Sequence, residues 1–205
     1  MAYVLGFFTA DGSMTKNKRG AHFIEFEITD KDLLYQIRQL LGSDHKITEI
    51  KRNVRWKNTY RLQIGSKEIF SDLLKIGLTP AKSKTVKLAK VPKKYFNYFV
   101  RGYFDGDGCI SSGTYNRKDR KSKKYVIISR FTSGSNVFLQ DLMKRLRREA
   151  GIIGGSICAK NRGFDLVLGV KNSRKLFDFM YNSLSRGLFL KRKYDKFKRS
   201  IGCLV

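Results

Sequence analysis

The sequence predicts an α+β protein built from two copies of one αββαββα unit. A short motif occurs twice, as YVLGFFTADG at residues 3–12 and as YFVRGYFDGDG at residues 98–108. Placing Asp11 on Asp107 also superimposes Gly6 on Gly102. After each copy, segments that alternate apolar and polar residues are followed by segments with helical spacing of apolar residues. The repeated order indicates two halves of the same fold.

Each copy of the motif is expected to form a short apolar helix. Small residues stand one turn apart in both copies, at Gly6, Ala10, Gly102 and Gly106. Such residues remove the side chains that usually hold helix axes about 8–10 Å apart, so the two helices can pack closely. Asp11 and Asp107 would then emerge together at the helix C-termini, where the helix dipole disfavours a carboxylate. Two carboxylates at that place repel each other unless a cation lies between them, so the motif predicts a metal site.

The rest of the first repeat is predicted from periodicity and caps. It is expected to contain a hairpin whose second strand spans residues 21–29, a helix over residues 30–41 with Asp30 as N-cap and Gly42 as its stop, a hairpin over residues 46–64, and a helix over residues 67–75. The N-terminal repeat is therefore assigned to residues 1–85, and a basic linker that contains Pro92 to residues 86–97.

The second repeat, residues 98–205, is predicted to replay this order. It is expected to contain strands over residues 109–116 and 125–132, a helix over residues 136–150, a hairpin over residues 156–170, a helix over residues 173–184, and a basic tail. Gly187-Leu188 corresponds to Gly77-Leu78 of the first repeat, but the offset between the copies has grown, so the second copy carries insertions.

The charge balance predicts a polyanionic partner. The chain of 205 residues has 43 Lys and Arg against 17 Asp and Glu, a net charge of +26. This charge favours nucleic acid, because each phosphate neutralised by Lys or Arg releases counterions. Neither a basic amphipathic helix nor an apolar run of about 20 residues is present, so no membrane partner is expected. Three scattered cysteines and the absence of a basic leader region favour an intracellular, non-secreted protein without a disulfide framework or a zinc site.

At this point the two motifs carry a resemblance: the chain resembles a single-chain LAGLIDADG homing endonuclease. The resemblance implies that two four-stranded sheets form a saddle over a long DNA duplex, that each repeat reads one half of the target, and that the motif helices pack at the centre. Because both motifs are in one chain, it also implies a monomer. Splicing-domain signals are missing, so the chain is interpreted as freestanding rather than as an intein insert.

Asp11 and Asp107 are the candidate metal ligands. Hydrolysis of a phosphodiester needs an activated water and a neutralised phosphate, which a carboxylate-bound divalent ion supplies. Mg²⁺ suits one or two carboxylates; Mn²⁺ is expected to substitute, and Ca²⁺ to support binding with slower cleavage. By resemblance, a lysine after the third helix of each repeat acts beside the scissile phosphates. This position corresponds to Lys82 and Lys191, with Lys84 and Lys193 as alternatives.

Polar positions on the predicted strands are candidate DNA contacts. Residues that point away from the apolar face and match base-edge chemistry are Glu25, Glu27, Arg61, Gln63 and Arg130. A basic hairpin tip adds candidate phosphate contacts at Arg117, Arg120, Lys121, Lys123 and Lys124. The second repeat presents Asp165 and Val167 where the first presents Arg61 and Gln63, so the two halves are expected to read different sequences and the target to be non-palindromic.

The resulting function hypothesis is a Mg²⁺-dependent endodeoxyribonuclease that makes double-strand breaks at a long, specific site, as in intron homing. Two alternatives use the same basic saddle without cutting: an intron RNA maturase or RNA-binding splicing cofactor, and a non-cleaving DNA-binding regulator. A decayed copy would be expected to lose an acid, and both Asp11 and Asp107 are present. This favours the enzyme. The family often has Gln at the end of the second strand, where Asp30 and Ser133 stand here, so the water-positioning role stays unassigned.

Overall fold

The computed structural model describes residues 1–51, 57–116, 123–182 and 187–203. The helices in these ranges are α1 (Ala2–Asp11), α2 (Lys31–Leu40), α3 (Lys67–Lys75), α4 (Lys93–Asp107), α5 (Asn136–Ala150), α6 (Val170–Tyr181) and α7 (Lys191–Gly202). The strands are β1 (Ser13–Lys16), β2 (His22–Ile28), β3 (Ile47–Ile50), β4 (Thr59–Gly65), β5 (Gly108–Asn116), β6 (Lys123–Ser133), β7 (Ser156–Lys160) and β8 (Gly163–Leu168). A short 3₁₀ turn covers Lys82–Lys84.

The strands form two antiparallel sheets of the same topology, with orders β1-β2-β4-β3 and β5-β6-β8-β7. Glu25 of β2 faces Gln63 of β4, and Arg130 of β6 faces Val167 of β8. These pairs occupy the same place in the two sheets, because Glu25 also faces Ser13 in β1 and Arg130 also faces Cys109 in β5. The α+β class and the two-repeat architecture are therefore confirmed.

Each sheet buries one face under helices. In β2 the side chains of Ile24 and Phe26 are buried, whereas Glu25 and Glu27 between them are half-exposed on the other face. This is the alternation that a strand with one solvated face requires. The polar face is therefore available to a partner over the length of the strand.

The two motif helices α1 and α4 pack backbone to backbone at the centre. A Cβ added at Gly6 would collide with the carbonyl oxygen of Phe99, and one added at Gly102 would collide with that of Tyr3. The two glycines therefore occupy equivalent positions on either side of one contact. An alanine at either place would force the helix axes apart and disrupt a well-packed core.

Most element boundaries agree with the sequence, and some differ. Helix α3 has the predicted ends, but α4 begins at Lys93 and so extends into the predicted linker. Helix α6 begins at Val170, three residues earlier than predicted. The basic tail is helical as α7, which buries Phe197 against the second repeat. None of the described helices has the length and apolar character needed to cross a bilayer.

Candidate active site

Asp11 and Asp107 are the last residues of α1 and α4, and the close packing of these helices brings their ends together. The carboxylate of Asp11 lies against α4: a Cβ added at Gly106 would be only 3.1 Å from its Oδ2. Within the described residues, neither Asp11 nor Asp107 has a hydrogen-bond or ion-pair partner for its carboxylate. The protein thus places two open carboxylates beside each other.

The surroundings make these two carboxyl groups harder to ionise. Burial raises the pKa of Asp107 to about 6, and the charge of Asp11 adds to this effect. Burial also raises the pKa of Asp11, against the opposing charges of Lys193, Lys82 and Arg192. Asp11 is solvent-exposed as a residue, so its carboxyl group lies near the surface rather than in the core. The place where Asp11 and Asp107 come together at the ends of α1 and α4 is called the recess below. A cation at this place would stabilise both ionised forms.

Lys82 faces this recess from the 3₁₀ turn of the first repeat. Only 7% of the residue is exposed. Its Nζ donates a hydrogen bond to the carbonyl of Gly12, directly after Asp11, and lies 5.3 Å from the centre of the Phe8 ring. Burial lowers the pKa of Lys82, while the charges of Asp107 and Asp11 act to raise it. Lys82 therefore lies within electrostatic reach of both carboxylates.

In the second repeat the lysine at the recess is Lys193 and not Lys191. Lys193 Nζ donates to the carbonyls of Phe104, Gly106 and Gly108 at 2.9, 2.8 and 2.7 Å. The pKa of Lys193 is lowered, mainly by burial. The charge of Arg192 acts in the same direction, and the charges of Asp105, Asp11 and Asp107 partly oppose the shift. Lys191 instead points to solvent, with 82% of its side chain exposed, and pairs with Asp195 at 2.9 Å.

The local backbone explains why Lys193, the alternative to Lys191, lies near the two carboxylates. Lys82 starts a 3₁₀ turn after Ala81, which has a φ of 56° in the left-handed region. The corresponding segment of the second repeat is the first turn of α7, which starts at Lys191. The two segments have different backbone paths, so counting residues from Gly77 and Gly187 does not select the equivalent side chain. The equivalence is set by the contacts: Gly12 and Phe8 for Lys82, Gly108 and Phe104 for Lys193.

Asp105 does not join the two open carboxylates. It is 2% exposed, and its Oδ2 accepts hydrogen bonds from Tyr3 Oη and from the N–H of Leu190, both at 2.7 Å. Burial raises the pKa of Asp105 to about 6, and the two hydrogen bonds oppose this shift. The bond from Leu190 ties the segment before α7 to α4.

The strand ends of each repeat contact the lysine-bearing segment of the other repeat. Asp30, just after β2, accepts hydrogen bonds from Arg192 Nε at 2.9 Å to Oδ2 and 3.3 Å to Oδ1. In the opposite direction, Gly134 after β6 lets the carbonyl of Ser83 approach so closely that a Cβ there would clash. A cavity of about 50 Å³ lies at this second junction, lined by Lys82, Asp107, Ser133 and neighbours. Asp30 has the N-cap position of α2, as expected, but its side chain makes no capping bond.

The donor set at the recess fits a hard divalent cation. Two carboxylates without protein partners match Mg²⁺, which takes one or two carboxylates and completes its shell with water and phosphate oxygens. Within the described residues, no group of three or more His, Cys, Asp or Glu side chains could hold a metal. Asp11 and Asp107 would therefore hold the ion, and most of its ligands would come from solvent and substrate.

The polar face of the first sheet is internally paired. Arg61 lies 3.4 Å from Glu25 and 3.4 Å from Glu27 (N to O), and Gln63 donates to Glu25 at 3.1 Å. Thr59 donates to Glu27 at 2.8 Å. These candidate DNA contacts lie together on one solvated face. In the absence of DNA, their donors and acceptors pair with one another.

The second sheet carries a different set at the same places. Arg130 donates to Ser111 at 3.2 Å, and Asp165 pairs with Lys160 at 2.7 Å and accepts from Thr132 at 2.6 Å. Burial alone would raise the pKa of Asp165, but the bonds from Lys160 and Thr132 outweigh it and the pKa is lowered. Lys123 and Lys124 begin β6 and are exposed, whereas Arg117, Arg120 and Lys121 lie outside the described residues.

Comparison with known proteins identifies the fold. Residues 1–76 match the family model of a LAGLIDADG-like domain. The chain is similar to the I-LtrWI LAGLIDADG homing endonuclease bound to target DNA, with 15% identity, a TM-score of 0.66, and coverage of 99% of this chain and 89% of that one. It is also similar to the LAGLIDADG meganuclease I-AabMI bound to uncleaved DNA (13% identity, TM-score 0.65, coverage 98% and 88%). A third match is I-SmaMI bound to an uncleaved DNA target in the presence of calcium ions, with 16% identity, a TM-score of 0.65, and coverage of 98% of this chain and 89% of that one.

One curated relative matches part of the chain. It is an uncharacterized protein of Methanocaldococcus jannaschii, 24% identical over 116 residues. The match covers 55% of this chain and 40% of the relative, so this chain spans less than half the length of that protein.

Proposed function

Because residues 1–76 match a LAGLIDADG-like domain and the whole chain has the two-repeat fold of the LAGLIDADG homing endonucleases, we propose that this protein is a site-specific endonuclease that cuts both strands of a DNA duplex. The observation that carries the proposal is the meeting of Asp11 and Asp107 at the ends of α1 and α4, with no protein partner for either carboxylate in the described residues. A protein that only binds DNA has no need to hold two repelling carboxylates together.

Asp11 and Asp107 are proposed to hold Mg²⁺ at the centre between the two sheets. When bound, the ion would lower the pKa of a coordinated water and neutralise charge on the scissile phosphate. The raised pKa of Asp107, about 6, leaves this carboxylate ionised at neutral pH and above, where it can act as a ligand. The similar nuclease crystallised on uncleaved DNA with calcium present is consistent with the use of a divalent ion.

Lys82 and Lys193 are proposed to stabilise the negative charge that develops on the phosphate. Both are largely withdrawn from water, where a positive charge acts more strongly than at the surface. Within the described residues, Lys82 donates one hydrogen bond, to the carbonyl of Gly12. Its ammonium group therefore keeps donors for a phosphate oxygen or a water. All three donors of the Lys193 ammonium group are engaged by carbonyls, so Lys193 would act mainly through its charge.

The polar faces of the two sheets are proposed to read the duplex, one half-site each. Arg and Gln present donors that pair with guanine and adenine in the major groove, and Glu accepts from cytosine. Arg61, Gln63, Glu25 and Glu27 provide this set in the first sheet, and Arg130 in the second. Lys123 and Lys124, with Arg117, Arg120 and Lys121, would hold phosphates beside the second half-site. Unequal faces predict a long, non-palindromic target recognised by a single copy of the chain.

The test is a search for cleaved ends. The protein is incubated with a randomised duplex library and Mg²⁺, and the ends produced are sequenced; an Asp11→Asn/Asp107→Asn double variant is the control for contaminating nuclease. Recurrent ends at one sequence motif, absent with the control, are the expected result. DNA that is retained but intact would refute the nuclease and leave a DNA-binding protein. Retention of structured RNA in preference to the duplex would support the maturase alternative.

A further inference from the structure

Asp30 stands at a helix N-cap but does not cap the helix. The N-caps of α3 and α5 are Ser66 and Ser135, and their hydroxyls accept from the N–H groups of Ile69 and Phe138 at 3.1 and 3.2 Å. Asp is as good an N-cap as Ser, so the carboxylate of Asp30 could accept a hydrogen bond from an N–H group in the first turn of α2. The carboxylate of Asp30 nevertheless makes no capping hydrogen bond to α2.

The carboxylate is directed to the other repeat. Arg192 in the first turn of α7 places its Nε 2.9 Å from Oδ2 and 3.3 Å from Oδ1 of Asp30. Across the described residues this is the one ion pair that joins the first repeat to the second. Thr29 also donates to Asp30 Oδ2, at 3.1 Å, and so orients it. Asp30 therefore makes an ion pair with the other repeat instead of a capping hydrogen bond within its own helix.

The partner of Asp30 is the neighbour of Lys193. Because Arg192 and Lys193 are adjacent in one helical turn, fixing the guanidinium group also fixes the path of the backbone that presents the lysine. On the other side of the molecule the same task is met without charges, since Ser83 next to Lys82 packs its carbonyl against Gly134. Each strand–helix junction therefore holds the lysine-bearing segment of the opposite repeat.

We propose that Asp30 is a positioning residue for the half of the cleavage centre that contains Lys193, and that it acts across the repeat boundary through Arg192. This inference rests on the proposed nuclease function for its catalytic consequence. The two halves of the centre are then unequal: one depends on an ion pair at the surface, and the other on a glycine contact. Loss of the pair slows the cutting of one strand, and nicked DNA accumulates.

The experiment follows each strand of a cleavable duplex separately, with distinct end labels, for Asp30→Asn, Arg192→Gln and the charge exchange Asp30→Arg/Arg192→Asp. Asn is a good N-cap, so Asp30→Asn is expected to fold. We expect the two single variants to slow one strand by roughly 10-fold and the other by less than about 2-fold, and the exchange to restore much of the loss. Asp72→Asn is the matched control, because it removes another ion pair of 2.9 Å, Lys75 with Asp72 in α3, and should leave both strands unchanged.

A second measurement does not depend on cleavage. Amide hydrogen exchange at residues 191–194 is compared between the wild type and the same variants without DNA. Faster exchange in Asp30→Asn, reversed by the charge exchange, is expected. Equal slowing of both strands, or unchanged exchange at residues 191–194, would overturn the proposal. If the wild type cuts no DNA, the proposed function fails, and the exchange data alone decide whether Asp30 seats this segment.

Discussion

The two repeats have the same strand order but hold their lysines in different ways. Lys82 sits in a short 3₁₀ turn and donates to one described carbonyl, that of Gly12. Lys193 sits in a twelve-residue helix and donates to three carbonyls at the end of α4. The two repeats therefore share the place of an ammonium group but not the segment that carries it. This difference also separates two effects, because Lys193 stabilises a helix end while Lys82 keeps donors free.

The largest expected effects distinguish the lysines. Lys82→Met and Lys193→Met should each reduce cleavage by about 100-fold, since a preorganised charge beside the reacting phosphate typically contributes that much. Lys191→Met should change cleavage by less than about 2-fold, because an exposed ion pair contributes little. Single-turnover rates on a labelled duplex measure all three.

The same variants should also differ in stability. Lys193→Met removes one hydrogen bond from each of three carbonyls at the α4 end, so its free energy of unfolding should fall by more than that of Lys82→Met, which removes one. A large loss of activity in Lys191→Met, with none in Lys193→Met, would favour the prediction made from the sequence over the geometry.

The sheets provide the next comparison. Arg61→Ala should relax specificity at one base pair of the half-site read by the first repeat, by roughly 1–3 kcal/mol, without changing the other half. Lys124→Gln should instead weaken binding to all sequences and reduce the salt dependence by about one counterion. Binding to a set of single-mismatch duplexes at several salt concentrations separates these outcomes. A specificity change spread over both halves would contradict the division of the target between the sheets.

The smallest expected effect concerns pH. The pKa of Asp107 is raised to about 6 in the folded protein. Its protonated form therefore stabilises the fold at low pH, and this contribution is lost as the pH rises through about 6. Mg²⁺ binds the ionised form, so it should raise Tm by a few degrees at about pH 8 and hardly at all at about pH 5. Scanning calorimetry of wild type and Asp107→Asn gives the comparison, and an equal Mg²⁺ effect in both would argue against this site.

The fold could be predicted from the sequence because its determinants are local or repeated. Gly6 and Gly102 predict close helix packing from one motif alone, and the alternation in β2 and β4 predicts which face is solvated. The ends of α3 and α5 follow from caps: Ser66 and Ser135 begin these helices, and Gly151 ends α5 with a φ of 61°. These patterns need no knowledge of distant contacts.

The candidate site was predicted in part, because some of its contacts join residues far apart in the chain. Asp11 and Asp107 were indicated by duplication. The choice between Lys191 and Lys193, and the bond from Leu190 to Asp105, depend on how α7 folds back onto α4. Arg101 is a further example. It stands where the first motif has Leu5, yet it is fully buried. Its Nη1 donates to the carbonyl of Met180 at 3.1 Å, and its Cζ lies 5.0 Å from the centre of the Tyr98 ring. Nothing local in the sequence indicates that this arginine faces the interior.

Asp11 and Asp107 are proposed to form one metal-holding centre for cutting two strands. The most direct measurement is the yield of double-strand breaks by Asp107→Asn with Mg²⁺ on a target that the wild type cuts, with binding affinity measured in parallel. We expect that binding is retained and that double-strand breaks are lost. Double-strand breaks at the wild-type rate, made by the Asp107→Asn protein, would contradict it.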